Sequence, residues 1–246
     1  IGSQPPRPGG LNGKGRGGAS GAIPCHDRDS RRATGGEGDG AQVNLDRDRG
    51  LRCMTELILA SGSPRRAQLL GEMVGSFRIL PSDVDEEQAE GETPDAYVVR
   101  VSREKAESVA DGLEPRTGGC WILAGDTIVV LGEAVLGKPE DGDRARRMLE
   151  QLQDRRHEVI TGICLLNRKQ AVCCLEAVRT QVWMRRIEPE EMDAYLRTGE
   201  PFDKAGGYAI QGYGGRFIRK IEGSYSNVIG LPMERLGELF RMYGIS

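Results

Sequence analysis

Apolar and polar positions along this chain switch between two periods, and the switches mark its elements. Residues 57–60, Leu-Ile-Leu-Ala, form a short unbroken apolar run, the pattern of a strand buried on both faces. Ser61-Gly62-Ser63 turns the chain, Ser63 suits a helix N-cap and Pro64 the first helical position, and Leu69 and Leu70 begin that helix's apolar side. Residues 77–80 read as a second strand, and an acidic loop follows over 83–87. Thr93-Pro94 repeats the capping signal and opens a helix to residue 110. Residues 121–131 read as a long strand, Gly132-Glu133 as a turn, and 134–136 as a short strand. Over 141–152, Ala145, Met148, Leu149 and Leu152 recur at helical spacing. Two long strands are expected at 157–166 and 171–184, joined by a turn at 167–170. Pro189 starts a helix with Met192, Tyr195 and Leu196 on its inner side. Residues 199–216 are glycine-rich and loop-like, 217–221 a strand, and Leu236, Leu239, Phe240 and Tyr243 mark a final helix. Strands and helices mix throughout without an internal repeat, which predicts an α/β fold on a mixed sheet.

Residues 1–53 break this pattern. They are rich in Gly, Arg, Pro and Asp and contain no Phe, Tyr or Trp, so they cannot bury enough apolar surface to offset their ordering entropy. The segment reads as a disordered tail, or as residues preceding a true start at Met54, with residues 54–246 as the folded domain. The glycines and basic residues at 13–18 resemble a phosphate loop only faintly, because no strand precedes them and no helix pattern follows. Asp27, Asp29, Asp39, Asp46 and Asp48 dilute the tail's positive charge and weaken a reading as a nucleic-acid arm.

Bulk charge adds little: 34 basic against 37 acidic residues leave a net charge of -3, so an anionic substrate needs a local basic patch. No apolar run approaches the roughly 20 residues of a spanning helix, and no signal-peptide core is evident. Six cysteines without a C-x-x-C pair, and two histidines without ligand spacing, fit a reduced intracellular chain better than a zinc site.

Five segments carry candidate chemistry. Ser61-Gly62-Ser63-Pro64-Arg65-Arg66 follows a strand and opens a helix, so two hydroxyls, two guanidinium groups and free helical N–H groups converge as an anion site. Asp126 stands inside an apolar strand beside Thr127, where a carboxylate must be satisfied by a metal, a cation or hydrogen bonds; it suits a Mg²⁺ ligand or a general base. Gly132 to Lys138 fits G-x-x-x-x-G-K, but Pro139 occupies the position where a P-loop needs a hydroxyl, leaving Lys138 as a phosphate cation only. Lys105 lies on a charged helix side. Asp203 to Gly212 is a glycine-rich stretch in which Gln211 offers an amide, donor and acceptor together, to a base edge. The acidic loop with Asp85 and Glu86 is a source of further metal carboxylates, and His157, beside Glu158, reads as packing rather than as part of a nucleophilic triad.

Taken in order, these segments resemble the Maf-like nucleoside triphosphate pyrophosphatases, also called septum-formation inhibitor proteins. The resemblance runs over 57–243 through Leu59 to Arg66, Arg103 to Ala106, Gly125 to Val129, Gly137-Lys138-Pro139, His157 with Thr161-Gly162, Asp203 to Gly206, Tyr208 with Ile210-Gln211-Gly212, and Ile221 to Pro232. It implies an elongated α/β fold with two lobes around a central cleft, related to inosine triphosphate pyrophosphatases. It also implies a divalent cation (Mg²⁺ or Mn²⁺), a cytoplasmic location and a homodimer; the near-balanced charge and the lack of an apolar span give no reason to expect nucleic acid or a membrane as partner.

By the family pattern, Asp126 is the proton acceptor or metal-linked base. Ser61, Ser63, Arg65, Arg66, Lys105 and Lys138 bind the triphosphate, and Asp85 and Glu86 are further metal carboxylates. Arg65, Thr127 and Gln211 match the positions that set base choice, in the pattern of the dTTP/UTP-preferring subfamily; the 7-methyl-GTP-preferring subfamily differs around Ile210-Gln211-Gly212. Asp85 stands where many relatives have Glu, which leaves open which of Asp85 and Glu86 approaches the metal. The expected reaction is attack of water on the α-phosphorus with pyrophosphate as leaving group. Two other classes remain: a nucleotide sensor of cell division that does not turn over, and a nucleic-acid binder using the Arg/Gly tail.

Overall fold

The computed structural model describes residues 56–114 and 119–245. The N-terminal tail, with its phosphate-loop-like stretch, lies outside the described residues. The strands are β1 (Leu57–Ala60), β2 (Arg78–Ile79), β3 (Trp121–Leu131), β4 (Ala134–Leu136), β5 (Arg156–Asn167), β6 (Val172–Met184) and β7 (Ile218–Glu222). The helices are α1 (Pro64–Met73), α2 (Pro94–Asp111), α3 (Gly142–Leu152), α4 (Pro189–Leu196), α5 (Tyr225–Ile229) and α6 (Met233–Tyr243). The strands form one sheet in the order β2-β1-β3-β5-β6-β7, with β4 on the far half of β3. β1 runs parallel to β2 and β3, while β3, β5, β6 and β7 pair antiparallel, so the sheet is mixed as expected.

Strand alternation on β3 explains the architecture. Ile122, Ala124, Ile128 and Val130 point to one side, where Val98, Val101, Ala106 and Val109 of α2 cover them. Trp121 and Leu123 point to the other side and join a cluster with Leu70 of α1 and Leu236, Leu239 and Phe240 of α6. Val129, farther along that second side, joins a separate cluster with Leu149 of α3 and Met192 and Tyr195 of α4. Between these two clusters the same side carries Gly125 and Thr127 on β3 and Thr161 on β5, small or polar residues that cannot continue an apolar core. Two apolar lobes thus share one sheet, with a polar gap between them.

The helices begin where the capping signals indicated. Ser63 and Thr93 accept hydrogen bonds from the backbone N–H groups of Arg66 and Ala96, and Asp141, read as the first residue of its helix, instead caps it through the Arg144 N–H. Four other details differ from the sequence reading. β2 is two exposed residues rather than four, an edge strand held only by β1. β6 starts at Val172 because Ala171 takes a positive φ of 53° in the turn. The glycine-rich stretch contains three short 3₁₀ turns at Glu200–Asp203, Ala205–Gly207 and Tyr213–Phe217. α5 was not foreseen: five residues are too few to show a helical period, and its only signal was Ser224, which caps it through the Asn227 N–H.

Candidate active site

Thr127 of this gap lines a cavity of about 550 Å³ that also takes in Asp126 from the α2 side of β3. Its position follows from strand lengths. β1 ends at Ala60, paired with Ala124, whereas β3 runs on, so Asp126 and Thr127 lie past the carboxyl end of β1 with no neighbour on that edge. The crevice beyond the carboxyl ends of parallel strands is where open α/β sheets bind ligands. Five cations, Arg65, Arg66, Lys105, Lys138 and Lys204, face three carboxylates, Glu86, Asp126 and Asp203, around this cavity.

Arg66 is fixed from three directions. Its Nε donates to the Gly230 carbonyl at 3.0 Å, Nη1 to Ser61 Oγ at 3.2 Å and Nη2 to Thr127 Oγ1 at 3.0 Å. Thr127 Oγ1 also lies 3.0 Å from Thr161 Oγ1, which donates to the Asn227 carbonyl at 3.0 Å. A chain of hydroxyls therefore ties the guanidinium to β3, β5 and α5 and leaves it no rotamer freedom to lose on binding an anion. Burial pushes the Arg66 pKa down, and the charges of Asp126 and Glu86 push it back up; it remains a cation. The first turn of α1 carries no acidic residue, so the partial positive charge of its N-terminus faces the cavity uncompensated.

On the α2 side, Lys105 is the pivot. Its Nζ donates to Asp126 Oδ1 at 2.8 Å and lies 2.6 Å from Glu86 Oε1. Both Lys105 and Asp126 are buried. Burial alone would raise the Glu86 pKa, but the hydrogen bond and charge of Lys105, with Lys138 and Arg66 behind it, outweigh that and hold it below the ordinary value. Asp85 is placed differently. Its Oδ1 accepts the Glu87 N–H at 3.0 Å, bracing its own exposed loop, and it does not line the cavity. Of the two acidic-loop carboxylates, the structure brings only Glu86 to Asp126.

The other wall belongs to the second lobe. Arg65 Nη1 meets Asp203 Oδ2 at 3.4 Å across the cavity mouth, a half-exposed pair worth little in itself. Lys138 is exposed and forms no ion pair among the described residues, although its charge is felt at Glu86. Gln211 lines the cavity, is exposed, and has no hydrogen-bond partner for its amide among the described residues. Ser61 and Ser63 sit at the α1 end, Ser61 Oγ also accepting the Ser63 N–H at 3.2 Å. Every sequence-predicted site residue except Asp85 thus borders one cavity.

Three contributors were not singled out from sequence. Tyr97 donates its hydroxyl to the Glu86 carbonyl and lines the cavity; burial, then the charges of Asp126 and Glu86, push its pKa up to about 12. Arg100 holds the acidic loop against α2 through Glu92 at 2.8 Å and the Glu87 carbonyl at 2.9 Å. Lys204 adds a cation whose Nζ donates to the Glu200 carbonyl at 2.8 Å. Tyr97 and Arg100 act on the loop that precedes their helix, which spacing along the helix does not reveal, while Lys204 lies within the 203–212 stretch already read as a candidate segment. His157 packs as read. Its Nε2 lies 2.6 Å from the Tyr208 hydroxyl behind the cavity wall, and burial pushes its pKa down to about 4.

The donor set can be tested against a divalent cation. Among the described residues no cluster of three or more His, Cys, Asp or Glu is poised to hold a metal. Glu86 and Asp126 instead converge on the Lys105 ammonium through one oxygen each, Oε1 and Oδ1, leaving each a second oxygen for a cation beside it. Two hard carboxylates, with phosphate oxygens completing the shell, suit Mg²⁺ or Mn²⁺ shared with a substrate rather than a cation caged by protein alone. No helix among the described residues is long and apolar enough to cross a membrane.

Comparison with known proteins finds relatives over most of the chain. The family model described as "Maf-like protein" matches residues 56–243. A protein of Geotalea uraniireducens named dTTP/UTP pyrophosphatase is 44% identical over 194 residues, covering 79% of this chain and 98% of that protein. One of the same name from Anaeromyxobacter dehalogenans is 48% identical over 190 residues, covering 76% and 94%. A solved HAM1 protein from Coxiella burnetii, 17% identical, covers 77% of this chain and all of its own with a TM-score of 0.45. With the family model matching residues 56–243, well over half of its length, this chain belongs to the Maf-like protein family.

Proposed function

We propose that this chain hydrolyses dTTP and UTP at the α–β phosphoanhydride bond, releasing the nucleoside monophosphate and pyrophosphate. The observation that carries the reading is Asp126. One of its oxygens is held by Lys105, the other takes part in no hydrogen bond among the described residues, and the carboxylate opens onto a cationic cavity. A mere anion-binding site gains nothing from a buried carboxylate at its centre; a site that must take a proton from water does. The substrate is suggested by the name dTTP/UTP pyrophosphatase that the relatives carry.

The chain's own groups then have distinct tasks. Arg66, already rigid, and the α1 N-terminus with Ser61 and Ser63 receive phosphate oxygens, while Arg65 and Lys138 close on the leaving pyrophosphate. Lys105 orients Asp126, whose free oxygen accepts the proton of the attacking water. Glu86 and Asp126 would hold a divalent cation, which when bound supplies neutralisation of the triphosphate and polarisation of the scissile phosphate. Gln211 reads the base: thymine and uracil offer an N3–H between two carbonyls, which an amide can match with acceptor and donor, whereas cytosine reverses part of that pattern. Thr127 and Arg65 border the same space, Thr127 acting through the Arg66 it fixes. A cytoplasmic location and a homodimer are carried into this proposal from the family resemblance.

The test is a panel of nucleoside triphosphates with Mg²⁺ or Mn²⁺ in which pyrophosphate and orthophosphate are assayed separately. Pyrophosphate from dTTP and UTP above the others is expected. Preference for a methylated guanine nucleotide would overturn the base assignment, and absence of product from folded protein would overturn the catalytic one.

A further inference from the structure

Gln211 sits on a stretch with little regular structure of its own, so something else must hold it still. Glu200 does this from outside the cavity. Its Oε2 accepts the Tyr213 N–H at 2.9 Å, and its Oε1 accepts both the Gly214 N–H at 3.0 Å and the Tyr195 hydroxyl at 3.1 Å. Tyr195 belongs to the buried core of the second lobe and packs edge-on against Phe217, ring centroids 5.1 Å apart. The Glu200 backbone is anchored as well: its N–H donates to Thr198 Oγ1 at 3.2 Å, and its carbonyl accepts Lys204 Nζ at 2.8 Å. One residue thus connects the core, a cavity cation and the loop that follows Gln211.

The glycines of that loop make room for it. A Cβ on Gly212 would lie 2.3 Å from Glu200 Oε2, and one on Gly214 2.9 Å from the Tyr195 hydroxyl. Gly212 has φ of -124°, which any residue can adopt, so glycine is needed there for space rather than for conformation. A carboxylate accepting two main-chain N–H groups forms charge-assisted bonds, roughly twice as strong as neutral ones.

We propose that Glu200 is a specificity-positioning residue: it fixes the 211–214 loop so that the Gln211 amide meets the pyrimidine edge, and it touches neither the triphosphate nor the reacting atoms. This inference rests on the base-reading role proposed for Gln211 and extends it to a residue outside the cavity.

The test measures kcat/KM for dTTP, UTP and dCTP in the wild type, Glu200→Ala, Glu200→Gln, Gln211→Ala and the double variant Glu200→Ala/Gln211→Ala, with a thermal melt for each. Glu200→Ala should lower the dTTP-over-dCTP ratio about tenfold, mainly through KM for dTTP, which is the size expected when one well-made polar contact is lost. Glu200→Gln, the same shape with one acceptor oxygen, should fall between it and the wild type. The double variant should be no less selective than Gln211→Ala alone, because both act on the same contact. Gly212→Ala should reproduce the Glu200→Ala loss by expelling the carboxylate, and it serves in its place if Glu200→Ala does not fold. If Gln211→Ala loses selectivity and Glu200→Ala keeps it, Glu200 has no positioning role and the base assignment stands. If both keep it, the base assignment fails and this inference with it. Equal loss of turnover on all three nucleotides with a lowered melt would reduce Glu200 to a structural residue and overturn the proposal.

Discussion

Asp126 shows how much one residue can carry. It occupies a β3 position flanked by Ile122, Ala124 and Ile128 on the same side, where a carboxylate survives only because Lys105 meets it at 2.8 Å. Asp126→Asn keeps the size and a carbonyl acceptor for Lys105 but removes the basic oxygen. It should lower pyrophosphate release by on the order of 10²–10⁴ while leaving the melting temperature near the wild-type value; retention of more than about a tenth of the rate would remove Asp126 from the chemistry. The acidic loop offers a paired comparison. Glu86→Gln should cost about 10- to 100-fold in the metal concentration for half-maximal rate, and Asp85→Asn much less, because only Glu86 faces Lys105 and Asp126. A larger effect from Asp85 would reverse that assignment.

At this scale Asp126, Arg65, Arg66 and Lys138 were legible because each breaks a local rule: a carboxylate in an apolar strand, two arginines in a first helical turn, a lysine between glycine and proline. Tyr97, Arg100 and Glu200 break none. They are ordinary residues of helices and turns, and their importance lies in partners 5 to 14 residues away that the fold brings near.

The main placing element is α2. It lies so close to β5 that a Cβ on Gly162 would sit 2.2 Å from the Val98 carbonyl oxygen, and Gly162 is the register partner of Asp126. That close approach lets Lys105, two turns along α2, span to the β3 carboxylate. Gly162→Ala must therefore push α2 outward. It should destabilise the protein by about 1–3 kcal/mol and also lower turnover, since the ammonium is drawn away from Asp126. A melt and a rate measured on the same preparation test this; a variant as active and stable as the wild type would contradict the packing described. Capped helices and long strands were evident from sequence because their signals are local. β2 was read as four residues and is two, since its length is set by its pairing with β1, and the five-residue α5 was not read at all, being shorter than the periodicity needed to see it.

For the molecule as a whole, the cleft exists because the apolar pattern on one side of β3 stops at Gly125 and resumes at Val129, giving two clusters instead of one. The mixed α/β class was readable from element order, while the cleft was expected only through the family resemblance, because it depends on which side of the sheet each residue faces and on β1 ending early. The same interior predicts an acid limit. His157 is buried neutral, its pKa down to about 4 from an ordinary 6.5, so as pH falls the unfolded chain takes up the proton first. Its contribution is intact above pH 6.5 and is lost between 6.5 and 4, worth roughly 3 kcal/mol at 1.36 kcal/mol per unit. Melting curves across that window should fall more steeply for the wild type than for His157→Gln, and parallel curves would contradict the burial argument.

Whether the two lobes hold a triphosphate so that water reaches its α-phosphorus is read from one turnover of dTTP in ¹⁸O-labelled water, followed by mass spectrometry of the products. One ¹⁸O in thymidine monophosphate and none in pyrophosphate is the predicted result. Label in the pyrophosphate would place attack on the β-phosphorus, and labelled orthophosphate would place it on the γ-phosphorus; either would contradict the role assigned to Asp126.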